Sequence, residues 1–216
     1  MTHELIELSS RGLRGSVVAG IILAAGTSSR MGVSKQLLPI GGVPLICHMV
    51  SQVLSSHLDR VVMVLGHDAE KMKSALLDYC PHPRIEVVVN PEYPKGMASS
   101  IKRGLKVVQD DCDHVMIILA DMLHIDARLI NILLKGYLKS GRDLGAIRIQ
   151  ARRSHPVIFS RRFYPELQRL EGDVGGRSIF EQYAHEACFI DAPPTYREMD
   201  LDTPEDYRRY QSLNWK

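Results

Sequence analysis

Seven small or apolar residues in succession, Val17, Val18, Ala19, Gly20, Ile21, Ile22 and Leu23, lead without a single charge into Ala24-Ala25-Gly26. A run of this kind, with no polar alternation, reads as a strand buried on both faces. Such a strand needs a sheet covered by helices on either side. The small residues that follow mark the carboxyl end of the strand, and that edge is where open α/β sheets hold their ligands.

The chemistry of the next residues narrows the ligand. Ala24, Ala25 and Gly26, which with Leu23 are the candidate nucleotide contacts of the loop, let the backbone approach closely, and Gly26 tolerates a conformation that turns consecutive N–H groups toward an anion. Arg30 adds a planar fork for phosphate oxygens, and Lys35 adds a compact charge suited to a phosphate that changes during reaction. Together they point to a bound nucleoside triphosphate. The Walker phosphate loop is excluded because no Gly-Lys-Ser/Thr follows, and a dinucleotide fold is excluded by the lack of Gly-x-Gly-x-x-Gly.

The rest of the chain alternates strand and helix patterns. Pro44 opens a helix with Leu45, Ile46, Met49, Val50, Val53 and Leu54 on one face. Arg60 to Gly66 reads as a strand, followed by a helix capped by Asp68 with Ala69, Met72, Leu76 and Tyr79 toward the core. Ile85 to Val89 and His114 to Ala120 are further strands, separated by a helix marked by Ile101, Leu105 and Val108. Asp126 caps a helix striped by Leu129, Ile130, Leu133, Leu134, Tyr137 and Leu138, which Ser140-Gly141 ends. Leu144 to Ile149, Pro156 to Phe159 and Ala187 to Ile190 read as strands and Ser178 to Ala184 as a helix. Thr203 and Asp206 form a capping box around a last helix opened by Pro204. The expected fold is a Rossmann-like, three-layer α/β arrangement on a mostly parallel sheet.

With 216 residues, 45% of them hydrophobic, the chain can bury a full core. Residues 17–216 are expected to form one domain behind a mobile leader, 1–16. A net charge of +2 argues against a general nucleic-acid binder. Cys47, Cys80, Cys112 and Cys188 are widely spaced, no secretory signal is visible, and no apolar run approaches the ~20 residues that span a bilayer. A cytoplasmic protein with reduced thiols, acting away from membranes, is expected.

Two further clusters carry chemistry. Asp121 ends the apolar strand His114 to Ala120, at the ligand edge, where a carboxylate suits Mg²⁺ completed by phosphate oxygens and water. Asp200 and Asp202 flank Leu201 and would face the same way in an extended segment, so that one could complete the metal site. Asn90 follows a strand, and Gly96-Met97-Ala98-Ser99-Ser100 leads into a helix, where free N–H groups and serine hydroxyls can read a base or ribose. The basic segment Arg148, Arg152, Arg153, His155, Arg161 and Arg162 reads equally as a solvated face or as a second phosphate site.

The segment Leu23 to Pro39, LAAGTSSRMGVSKQLLP, resembles the signature of the nucleotidyltransferases of the nucleotide-diphospho-sugar transferase fold. It is most similar to the molybdenum cofactor cytidylyltransferase branch of the MobA-like family and its molybdenum-hydroxylase accessory relatives. The resemblance implies that Asp202, in DLDTPEDY, is the second acidic ligand beside Asp121, and that Asn90, Gly96, Ser99 and Ser100 lie against the nucleotide. It also implies that His155 and the segment Gly172 to Arg177, with Asp173 and Arg177, hold the acceptor. Departures cluster on the acceptor side: Ala120 precedes Asp121, Met122-Leu123 follow it, and Ser154 precedes His155, where the family commonly has Gly, Met-Pro and Gly. The implied reaction moves CMP from CTP to the terminal phosphate of molybdopterin with Mg²⁺, Arg30 and Lys35, releasing pyrophosphate, with a molybdenum hydroxylase as recipient of the product. A guanylyltransferase, a sugar- or alcohol-phosphate cytidylyltransferase, and a non-catalytic carrier of the cofactor remain the alternatives, and only the resemblance favours CTP over GTP.

Overall fold

The computed structural model describes residues 15–26, 34–196, 198, 201 and 203–212. The leader expected over residues 1–16 lies outside these, except for its last two positions. In chain order the strands are β1 (Val18–Ala24), β2 (Pro39–Ile40), β3 (Val43–Pro44), β4 (Arg60–Leu65), β5 (Ile85–Val89), β6 (His114–Leu119), β7 (Leu144–Ile149), β8 (Arg152–Ser160) and β9 (Ala187–Asp191). The α-helices are α1 (Leu45–Leu54), α2 (Ala69–Tyr79), α3 (Met97–Val108), α4 (Ala127–Ser140), α5 (Tyr164–Arg169), α6 (Arg177–Gln182) and α7 (Pro204–Ser212).

Seven strands form one sheet in the order β5-β4-β1-β6-β8-β7-β9. β1 pairs parallel with β4 and β6, β5 with β4, and β9 with β7, while β8 runs antiparallel to both β6 and β7. β1 is buried at every position because the period-2 alternation of its side chains feeds two cores. Val18, Ile22 and Ala24 join the layer containing α1, α2 and α4, whereas Ala19, Ile21 and Leu23 join the layer containing α3, α5 and α6. The result is the expected three-layer, mostly parallel Rossmann-like fold.

Local chemistry explains the element ends. The Asp126 side chain accepts from the Leu129 N–H at 2.7 Å, and Gly141 ends α4 in the left-handed conformation. Thr203 and Asp206 exchange bonds as a capping box, with Thr203 N–H to Asp206 Oδ2 at 2.8 Å and Asp206 N–H to Thr203 Oγ1 at 3.2 Å. Asp68 departs from expectation. It stands at the N-cap position of α2 but with a positive φ of 53°, and its carboxylate makes no cap bond. It accepts instead from the hydroxyl of Ser34, beside the glycine loop. Tyr79 also departs: it is 56% exposed, because α2 ends there and turns its last residue outward.

Other boundaries shift modestly. β8 begins four residues before the expected Pro156, because its early residues Arg152, Arg153 and Ser154 pair with Ile149, Arg148 and Ile147. Helix α6 is shorter than the expected Ser178 to Ala184, its last turn being a separate 3₁₀ turn at Ala184–Glu186. The β2–β3 hairpin and helix α5 have no counterpart in the sequence reading, the first because two-residue strands carry no period. In α3, Gly104 permits contact with β1, since a Cβ there would lie 2.5 Å from Ile21 Cγ2. That close approach brings the start of α3 to the carboxyl edge of β1.

Candidate active site

A cleft of about 350 Å³ opens at the carboxyl edge of β1 and β6. It is lined by Leu23, Ala25, Gly26, Lys35, Gly96, Ser100, Asp121 and Asp173, eight of the residues singled out from sequence, together with Gln36, Tyr93, Pro94, Met97 and Leu119. Ala24, also singled out from sequence, is not part of this lining: it is 1% exposed and its side chain joins the opposite core. Arg30 and Asp202 lie outside the described residues. Leu201, next to Asp202 in the chain, is buried and donates its N–H to the Asp121 carbonyl at 3.3 Å.

Lys35 and Asp121 form the charged centre. Lys35 opens a single 3₁₀ turn, Lys35–Leu37, and its Nζ donates to Asp121 Oδ2 at 2.8 Å. The lysine side chain is 9% exposed and the aspartate 32%, so the pair sits at the cleft wall with its carboxylate open to the cleft. Ser34 anchors the turn to Asp68 on the other side. The Ser34 hydroxyl, then the Lys71 ammonium, holds the Asp68 carboxyl below its ordinary range.

The second wall is the Asn90 to Ser100 segment. Asn90 is 3% exposed, and its amide nitrogen donates to Ser99 Oγ at 2.8 Å and Ser100 Oγ at 3.0 Å. Its Oδ1 accepts from the Glu92 N–H at 3.0 Å. These bonds fix the turn that presents Gly96 and Ser100, each stabilising it by roughly 1 kcal/mol. Asn90 and Ser99 therefore shape the wall from behind, with Ser99 donating to backbone carbonyls, while Ser100 reaches the cleft.

The start of α3 is capped from an unexpected direction. Met97 N–H donates to Asp173 Oδ1 at 2.9 Å and Ala98 N–H to the Gly172 carbonyl at 3.0 Å. Two of the helix's free N–H groups are thus satisfied by a loop 76 residues away in sequence. Asp173, assigned to the acceptor by resemblance, here joins its own loop to the start of α3. No local pattern could have revealed this pairing.

His155 lies behind the cleft rather than on its lining. Its Nδ1 is buried and has no hydrogen-bond partner among the described residues. Burial pushes its pKa down to about 4, aided by Arg153 and His124 and opposed by the Ile117 backbone and Asp121. The native state therefore keeps His155 neutral, whereas the unfolded chain binds a proton below about pH 6.5. Stability should fall as the pH drops from there toward 4, with about 2 kcal/mol lost between pH 7 and pH 5 through this residue. Urea unfolding at the two pH values should show that extra loss in the wild type and not in His155→Gln, and equal losses would refute it.

Two arginines of the basic segment are paired with carboxylates and a third with backbone carbonyls. Arg148 pairs with Asp191 through Nε at 2.6 Å and Nη2 at 2.9 Å, Arg162 pairs with Asp143 and Glu186, and Arg161 donates to the carbonyls of Asp110 and Cys112. Arg177 is on the surface, its Nε held by Glu181 at 2.7 Å. Among the described residues no group of three His, Cys, Asp or Glu side chains could hold a metal, and Asp121 is the described carboxylate that faces the Lys35 side of the cleft. One carboxylate fits Mg²⁺, which is normally bound by one or two carboxylates with phosphates and water.

The fold and this cleft define a nucleotidyltransferase of the Rossmann-like class. The family model of the MobA-like NTP transferase domain matches residues 20–187, and the chain belongs to that family. It is 28% identical over 208 residues to the purine catabolism protein PucB of Bacillus subtilis, covering 90% of this chain and 96% of that one. Over 106 residues it is 31% identical to the bifunctional protein GlmU of Desulfotalea psychrophila, which covers 48% of this chain but only 30% of GlmU. Among solved structures, the homologue of Mycobacterium tuberculosis rv0371c from Mycobacterium sp. strain JC1 superimposes with a TM-score of 0.77 at 26% identity, covering 90% of this chain and 95% of that one. No helix among the described residues is long and apolar enough to cross a membrane.

Proposed function

We propose that this protein transfers CMP from CTP to the terminal phosphate of a molybdopterin-type acceptor and releases pyrophosphate. The observation that carries the reading is the Lys35–Asp121 pair at 2.8 Å in a cleft walled by small residues of β1 and the start of α3. An acceptor phosphate is already ionised at neutral pH, so no general base is needed, and alignment with charge neutralisation supplies the catalysis. An acceptor oxygen forms a bond to the α-phosphorus as the bond to the β-phosphate oxygen breaks. Lys35 is assigned to neutralise charge on the α-phosphate, and Arg30 is assigned the β- and γ-phosphates.

Asp121, with Asp202 assigned as its companion, would hold Mg²⁺. The ion supplies charge neutralisation to the leaving pyrophosphate. Leu23, Ala25 and Gly26 line the nucleotide through their backbone, and Ser100 faces it. His155, Asp173 and Arg177 are assigned to the acceptor. The relative named for purine catabolism is in keeping with a molybdenum hydroxylase as recipient of the product, and we place the activity in the cytoplasm.

The test is a screen of CTP, GTP, ATP and UTP with Mg²⁺ and molybdenum cofactor, reading pyrophosphate. Release with CTP in clear preference to the others is expected. Release only with GTP would overturn the CTP assignment, and tight cofactor binding without turnover would make the protein a carrier.

A further inference from the structure

Arg153 stands apart from the other arginines of its segment. It is half-buried, and among the described residues its side chain makes no hydrogen bond or ion pair, while Arg148, Arg162 and Arg177 each hold a carboxylate. Its guanidinium lies over the ring of Phe180 in α6, 5.0 Å from the centroid, and Phe180 in turn packs edge-on against Phe159 of β8. The arginine is thus fixed by stacking, which leaves its planar fork of donors uncommitted.

Its place in the sheet gives that fork a direction. Because β8 runs antiparallel to β6, with Val157 opposite Ile117, the start of β8 reaches the same edge as Asp121 at the exit of β6. Phe180, Val157 and Phe159 belong to the core that includes the start of α3, so Arg153 is on the nucleotide side of the sheet. The charged groups that face it are Arg177, which raises the cost of its charge, and Glu181, which lowers that cost but is already held by Arg177. A desolvated cation beside a second cation, with no carboxylate of its own, is an arrangement completed by an anion.

We propose that Arg153 is a specificity-determining residue that binds the phosphate monoester of the acceptor, with Arg177 as its outer partner. This deepens the transfer reading given above and rests on it for the identity of the acceptor. It assigns the acceptor class through a fixed, bidentate phosphate contact, one that an alcohol or a neutral sugar hydroxyl would not satisfy.

The experiment measures binding of inorganic phosphate by calorimetry to the full chain whose nucleotide site is filled with α,β-methylene-CTP. Arg153→Gln should weaken phosphate binding at least tenfold and leave affinity for the CTP analogue unchanged. Arg153→Lys should recover only part of the loss, and Arg177→Gln should lose less than Arg153→Gln because Glu181 already occupies its Nε. Phosphate affinity in Arg153→Gln equal to the wild type would overturn the proposal, as would the absence of saturable phosphate binding by the wild type. Failure of CTP turnover with molybdenum cofactor would refute the acceptor's identity and leave this binding result standing.

Discussion

Lys35→Met should reduce pyrophosphate release by about 10²- to 10³-fold, the cost of deleting one preorganised charge from a site where charge develops. The side chain is 9% exposed, so its charge acts across a wall with little water, and it already stands 2.8 Å from the carboxylate assigned to the metal. The substitution frees Asp121, so Mg²⁺ affinity should stay the same or rise. Added Mg²⁺ should therefore not restore turnover. Lys35→Arg should recover little, because a guanidinium is bulkier than the ammonium that this buried position encloses. Single-turnover rates at saturating CTP would separate this from a binding defect. A rate within threefold of wild type would remove Lys35 from the chemistry.

Gly96→Ala should destabilise the protein by about 3–5 kcal/mol, the sum of backbone strain and forced overpacking. Gly96 has φ 100° and ψ 176°, a region that side chains avoid. A Cβ there would lie 2.4 Å from the Gly172 carbonyl carbon and 2.6 Å from its oxygen, both backbone atoms that cannot rotate aside. Relief requires the Gly172–Asp173 loop to withdraw, which breaks both its bonds to the start of α3. Urea unfolding should show the loss. A stability within 1 kcal/mol of wild type would mean that the loop is not tightly docked.

The fold was legible because its signals are local. The continuous apolar run of β1, the Asp126 cap and the Thr203–Asp206 box are each contained within a few residues, and each is realised. The cleft was legible for the same reason on one side: Leu23, Ala25, Gly26 and Lys35 are close neighbours in sequence and remain so in space. What sequence could not supply were pairings across the chain. Asp173 on Met97, Ser34 on Asp68, and the bonds of Asn90 to two serines depend on tertiary docking. Gln36 and Tyr93 were missed because a glutamine and an aromatic in short turns carry no motif of their own.

The reversed strand β8 has a consequence for how such a protein can diversify. Substitutions in β1 or in the turn at Lys35 alter the cradle that we assign to the triphosphate. The first residues of β8 reach the same edge of the sheet from the opposite end of their strand, and none of them lines the cleft. On the proposed assignment of Arg153 to the acceptor, selection can retune which molecule is modified by changing two or three positions there, while the half assigned to the nucleotide is inherited intact.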